Sequence, residues 1–131
     1  MTERESDLLL ERSLATLSDT VYLNLMRNYL GAIPTPFNKP QLNRRLMTLF
    51  SSEPFVNRLC ALITRWDASI LTAAWLYVES TQDELCALFV DDLPYLDIQQ
   101  NIVNLEERLL LMPCPTGSSV RKTLMVNPLL V

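Results

Sequence analysis

Two glycines, Gly31 and Gly117, stand in a chain of 131 residues. A β barrel or sandwich needs frequent tight turns, many with positive φ, which glycine adopts at least cost. So few glycines steer the chain toward helices, whose ends Ser, Thr, Asn, Asp and Pro can form. They also exclude a Gly-rich phosphate loop. The apolar spacing agrees. Leu10, Leu14, Leu17, Val21, Leu25 and Tyr29 recur every three or four positions. Residues 6–30 therefore read as one long amphipathic helix, ended by Gly31.

The segment Ile33-Pro34-Thr35-Pro36-Phe37 is extended, because each proline disfavours helix at the residue before it. Asn38-Lys39-Pro40-Gln41 and Ser52-Glu53-Pro54 are helix starts, each with a capping side chain and an early proline. The helix after the first buries Leu42, Leu46, Leu49 and Phe50. The helix after the second buries Phe55, Leu59, Leu62, Ile63 and Trp66. Asp67 ends one helix or caps the next. Residues 69–78 are apolar on nearly every side, which predicts a central helix.

Thr81-Gln82-Asp83-Glu84 is a capping box that opens a short helix with Leu85, Leu88 and Phe89 inward. Asp92-Leu93-Pro94 opens the next, with Ile98, Ile102, Leu105 and Leu109 at helical spacing. Beyond Arg108 the pattern changes. Leu109 to Met112 is a short apolar run, residues 113–119 are turn-rich, and residues 120–126 are β-prone. This predicts a two-stranded hairpin.

Composition limits the chemistry. At 49% apolar and 20% charged residues, the chain is globular and of single-domain size. There is no histidine. That removes His-dependent nucleophile systems, His-ligated metals and His proton shuttles. Cys60, Cys86 and Cys114 are far apart and never in a CxxC pair, so they read as reduced core thiols. No enzyme activity, metal, cofactor or small-molecule substrate is expected. Met1 to Asp7 has no signal-peptide character, and no apolar run is long enough to span a bilayer. A cytoplasmic location, with no membrane contact, is the expectation. The apolar end Leu129-Leu130-Val131 reads as a fragment cut from a longer chain.

The net charge of −4 conceals an asymmetry. Residues 1–66 carry eight basic and six acidic side chains, a net +2; residues 67–131 carry three and nine, a net −6. In residues 38–66, Lys39, Arg44, Arg45, Arg58 and Arg65 face only Glu53. Any phosphate-binding surface should lie on those middle helices and not be spread over the C-terminal half.

The order in residues 67–131 is helix, turn, short helix, helix, strand, turn-rich wing, strand. It resembles a winged-helix domain, the helix-turn-helix variant with an added β hairpin. The resemblance rests on residues 81–89, 94–108 and 109–126. The passage Asn104-Leu105-Glu106-Glu107-Arg108-Leu109-Leu110-Leu111 looks like the usual route from third helix to first wing strand. A further likeness is to the helical and winged-helix segments that precede the ATPase core in bacterial XPB-like helicases. Asn127-Pro128-Leu129-Leu130 suits such a segment, but no GxxxxGK[ST] nucleotide motif is present.

The resulting expectation is a mainly α fold. A three-helix N-terminal portion, residues 1–66, packs on a winged helix of residues 67–131 in one continuous core. The winged-helix resemblance implies DNA contact through the third helix and the wing. Gln100, Asn101, Asn104 and Arg108 would face bases. Arg121 and Lys122 would touch phosphates, beside Thr116, Ser118 and Ser119, with Arg44, Arg45, Arg58 and Arg65 assisting. Asp97 and Glu107 on the same helix oppose phosphate. The alternative is a protein-interaction or homodimerisation module that binds no DNA.

Overall fold

A computed structural model describes residues 2–115 and 122–130. Four helices come first: α1 (Glu3–Ala15), α2 (Asp19–Leu30), α3 (Lys39–Phe50) and α4 (Glu53–Ala61). Then follow α5 (Arg65–Leu76), β1 (Ser80–Thr81), α6 (Gln82–Ala87), α7 (Tyr95–Glu107), β2 (Leu111–Pro113) and β3 (Thr123–Val126). A 3₁₀ turn, Pro128–Leu130, closes the described chain. The chain is mainly helical with a small antiparallel sheet.

The expected helix over residues 6–30 is two helices, so four helices and not three precede α5. Ser18 takes an extended backbone and its hydroxyl accepts the Val21 N–H, starting α2. Thr16 donates to the Ser13 carbonyl at 2.7 Å, finishing α1. The break also shifts the phase of the stripe. Val21 is exposed, while Tyr22, Leu25 and Met26 are buried. Apolar spacing carries through such a break because a three-residue interruption still leaves apolar residues three or four positions apart.

The start of α3 is as its residues dictate. Asn38 accepts the Gln41 N–H at 3.1 Å, and Leu42, Leu46 and Phe50 are buried. In α4, Leu59 is buried, Phe55 is half-buried and Ser52 makes no side-chain cap bond. Leu62, expected inside, is 69% exposed. The helix ends just before it, because Thr64 and Asp67 form a reciprocal capping box that begins α5 in a new direction. In α5, Ile70, Ala73 and Ala74 are buried, but Trp75 and Leu76 are exposed. The expectation of a helix buried on all sides therefore fails at its C-terminal end.

The hairpin forms as expected, with Met112 opposite Met125. The two-residue β1, not anticipated from sequence, pairs with the other side of β3 and gives the order β1-β3-β2. Ile98, Ile102 and Leu105 of α7 are fully buried. Leu109 is buried too, but outside the helix, at φ +55°. Leu110 N–H reaches the Leu105 carbonyl at 2.9 Å and Leu109 N–H the Glu106 carbonyl at 3.1 Å. That is a Schellman ending whose left-handed residue is a leucine rather than a glycine. Core burial of the Leu109 side chain offsets the backbone cost.

Asn127 holds this ending in place. Its Nδ2 donates to the Leu109 carbonyl at 2.8 Å, its N–H to the Leu110 carbonyl at 3.0 Å, and its Oδ1 accepts the Leu129 N–H at 3.0 Å. The residue is fully buried. Asn127→Ala is expected to cost about 2 kcal/mol, because a buried carbonyl loses its donor. Chemical denaturation checks this, and a loss within error of zero would show that water replaces the amide.

One hydrophobic cluster takes residues from both halves, among them Leu10, Leu14, Leu46, Ile70, Ile102 and Leu124. Ser13 of α1 donates to the Pro113 carbonyl of β2 at 2.6 Å. The first helix thus seals the sheet end of the second half.

Candidate functional site

Helix α7 presents Gln100, Asn104 and Glu107 exposed, with Asn101 half-buried. Gln100 Nε2 donates to Asn104 Oδ1 at 3.3 Å, so the two amides partly occupy each other. Asp97 and Glu107 stand one turn or less from them along the helix.

Arg108 is drawn away from that face. Its Nη2 lies 2.9 Å from Asp67 Oδ2, and its side chain is 28% exposed against 7% for Asp67. The Arg108 carbonyl accepts the Tyr29 hydroxyl. This places α2, the first turn of α5 and the end of α7 around one guanidinium. Burial pushes the Asp67 carboxyl up, but the Arg108 and Thr64 hydrogen bonds and the Arg108 charge outweigh it. The net position is below the ordinary carboxylate value. Tyr29 is pushed up to about 12 by burial, with Arg108 pulling weakly the other way, so its hydroxyl keeps its proton.

Lys122 lies 3.5 Å from Glu106 Oε2 of α7. Arg121, Thr116, Ser118 and Ser119 lie outside the described residues. The described residues expected to read DNA at this end therefore split. Gln100, Asn101 and Asn104 share one helix, whereas Arg108 and Lys122 are each held by a carboxylate.

The N-terminal arginines differ. Arg44 and Arg45 on α3, Arg58 on α4 and Arg65 at the start of α5 are exposed. Among the described residues they form no ion pair, although Arg65 lies over the Trp66 ring at 5.6 Å. Lys39 is paired with Asp19 at 2.8 Å. Among the described residues no group of three or more Cys, Asp or Glu could hold a metal. Among the described residues no disulfide forms; Cys60, expected in the core, is exposed, whereas Cys86 is buried and its thiol is raised by that burial and by the Asp83 charge. Among the described residues no single helix is long and apolar enough to cross a membrane.

The feature that sequence reasoning missed is apolar surface. Trp75 is 57% exposed and Val78 is 77% exposed, with Leu76 and Tyr77 between them also open. Trp75 and Val78 border a cavity of about 340 Å³, closed by Leu9 of α1 and by Leu124 and Val126 of β3. A shallower recess beside Leu71 and Leu130 shares Trp75 and Val126 with it. On the other side of α5, an open groove of about 620 Å³ runs from Arg65 to Tyr77 against Leu88 and Phe89. A signal was present. Four consecutive apolar residues at a helix end point in every direction, and one buried face accepts only about half of them.

A family model described as the N-terminal domain TP_0021_N matches residues 1–51, from the start of the chain to the C-cap of α3. No curated protein matches the chain. No solved structure matches it either.

Proposed function

We propose that residues 65–130 form a winged helix and that the chain is a non-enzymatic accessory module acting through protein contact. The order α5, β1, α6, α7, β2, β3 with the sheet order β1-β3-β2 suits that architecture. The observation that carries the protein-contact reading is the state of the cations beside α7. Groove entry draws most of its free energy from phosphate neutralisation. Arg108 is bound to the buried Asp67 and is not available without breaking that pair, whereas Lys122, 66% exposed, makes only a surface pair with Glu106. The open apolar surface around Trp75 offers what protein contact requires instead.

A second reading rests on the free arginines of α3, α4 and α5. They give the N-terminal half a place to meet a polyanion independently of α7. Binding to a labelled mixed-sequence duplex, titrated with salt, separates the readings. Weak binding at low salt only, reduced by Arg44→Ala with Arg45→Ala and unchanged by Arg121→Ala with Lys122→Ala, is the expected result. Micromolar or tighter binding that survives moderate salt and is lost on the Arg121 and Lys122 changes would overturn the protein-contact reading.

A further inference from the structure

We infer that the open groove along α5 is a docking site for an amphipathic helix of a partner protein, with a carboxylate side chain at the end that meets Arg65. The inference rests on the protein-contact reading above and names the chemistry of the partner.

The walls decide the shape of the occupant. The groove runs from Arg65 to Tyr77 along α5 and is faced by Leu88 and Phe89 from the turn after α6. It is open, so it does not enclose a small molecule as a ligand pocket does. Among the described residues no strand lines it, so an extended peptide would find no ladder for its backbone there. An α-helix satisfies its own backbone and needs only side-chain contact. The floor suits one. Ala68, Ser69, Thr72 and Ala73 follow at helical spacing and are all small, which lets a second helix axis approach closely. The Ser69 hydroxyl donates to the Arg65 carbonyl at 3.0 Å, and the Thr72 hydroxyl to the Ala68 carbonyl at 2.7 Å. Both are occupied within α5, so an apolar side chain can cover them without stranding a donor.

Charge decides the sign of the partner. Among the described residues Arg65 is the only charged side chain that lines the groove. It is exposed and forms no ion pair among them; the Trp66 ring, at 5.6 Å, is its neighbour instead. The carboxylates nearest in sequence do not serve it. Asp67 is turned inward onto Arg108 and the Thr64 N–H. Asp91 and Asp92 follow Phe89 but do not line the groove. A cation thus stands without a counter-ion at one end of an apolar surface, and a carboxylate on the docked helix would supply it. The pair lies at the rim, where ion pairs add little affinity. It therefore sets the sign and direction of the partner, while the apolar floor supplies most of the binding.

The test uses two labelled amphipathic peptides of identical leucine pattern, one ending in glutamates and the other in lysines. Their anisotropy is followed with the full chain and with Ala68→Gln and Arg65→Glu. Both positions are exposed, and glutamate suits the first turn of a helix, so folding is retained; circular dichroism verifies that. The glutamate peptide is expected to bind wild type about fivefold tighter than the lysine peptide, the scale of one rim ion pair. Ala68→Gln fills the floor with a neutral side chain and should weaken both peptides by at least about fivefold. Arg65→Glu should reverse the preference. Equal binding of both peptides to wild type, or a preference that Arg65→Glu leaves unreversed, would overturn the carboxylate assignment. Binding undiminished by Ala68→Gln would overturn the site. No binding of either peptide would overturn the helix occupant. Self-association of the chain without peptide, abolished by Ala68→Gln, would replace the partner helix by a second copy and leave the protein-contact reading standing. Failure of that reading itself has a separate signature, tight duplex binding through Arg121 and Lys122.

Discussion

Leu10→Ala is expected to lower stability by about 3 kcal/mol and to leave one cooperative unfolding transition. Leu10 lies on α1, far in sequence from the sheet, yet it is fully buried in the cluster that also holds Ile102 and Leu124. The cavity left behind is bounded by residues of both halves, so the loss is felt by the whole cluster. Far-ultraviolet dichroism and tryptophan fluorescence should melt together. Trp66 and Trp75 both lie on α5, although the substitution is on α1. Unchanged fluorescence melting with early loss of helix would show instead that α1 is an appendage. It would also separate residues 1–51, where the family model matches, from the remainder.

Breaking the Asp67–Arg108 pair is the second large effect. Asp67→Asn and Arg108→Ala should each cost about 2–3 kcal/mol. This is less than for a fully buried pair because the Arg108 side chain keeps some solvent. Asp67 also loses part of its capping box with Thr64, so its replacement carries the larger cost. The double variant should fall short of the sum by at least about 1 kcal/mol, the sign of a direct contact. The pH dependence has a fixed direction. The folded Asp67 lies below its unfolded value of 3.8, so its contribution is complete above about pH 4 and is lost as pH falls through the folded value. Wild type should thus lose more stability than Asp67→Asn on acidification below about pH 4. Parallel curves would show that Asp67 gains nothing from Arg108.

Much of the helical frame was legible because its signals are local. Thr81 with Glu84, Asn38 with Gln41, and the spacing of Ile98, Ile102 and Leu105 need no knowledge of the rest of the chain. The break at Ser18 was hidden because serine is common within helices as well as before them. The spacing puts Leu109 on the helical stripe; only tertiary contact reveals that it fills the core from a left-handed backbone. Strand β1 is two residues long and owes its existence to β3, more than forty positions on.

The candidate site was less legible, for a physical reason. Arg108 looks like a groove-facing cation until Asp67, distant in sequence, is seen 2.9 Å away. Lys122 has Glu106 3.5 Å away, a neighbour that the sequence does not reveal. Sequence supplies the charges but not their partners. Likewise Trp75 and Val78 resemble core residues by type, and their exposure depends on where α5 outruns the elements packed on it.

We propose above that the chain acts through protein contact, which leaves α7 without a DNA-reading role. The most direct test is an amide chemical-shift map of the labelled chain, titrated with mixed-sequence duplex at low salt. Any shifts are expected around Arg44, Arg45, Arg58 and Arg65, with the amides of Gln100, Asn101 and Asn104 unmoved. Shifts concentrated on Gln100, Asn101 and Asn104 and weak elsewhere would contradict it.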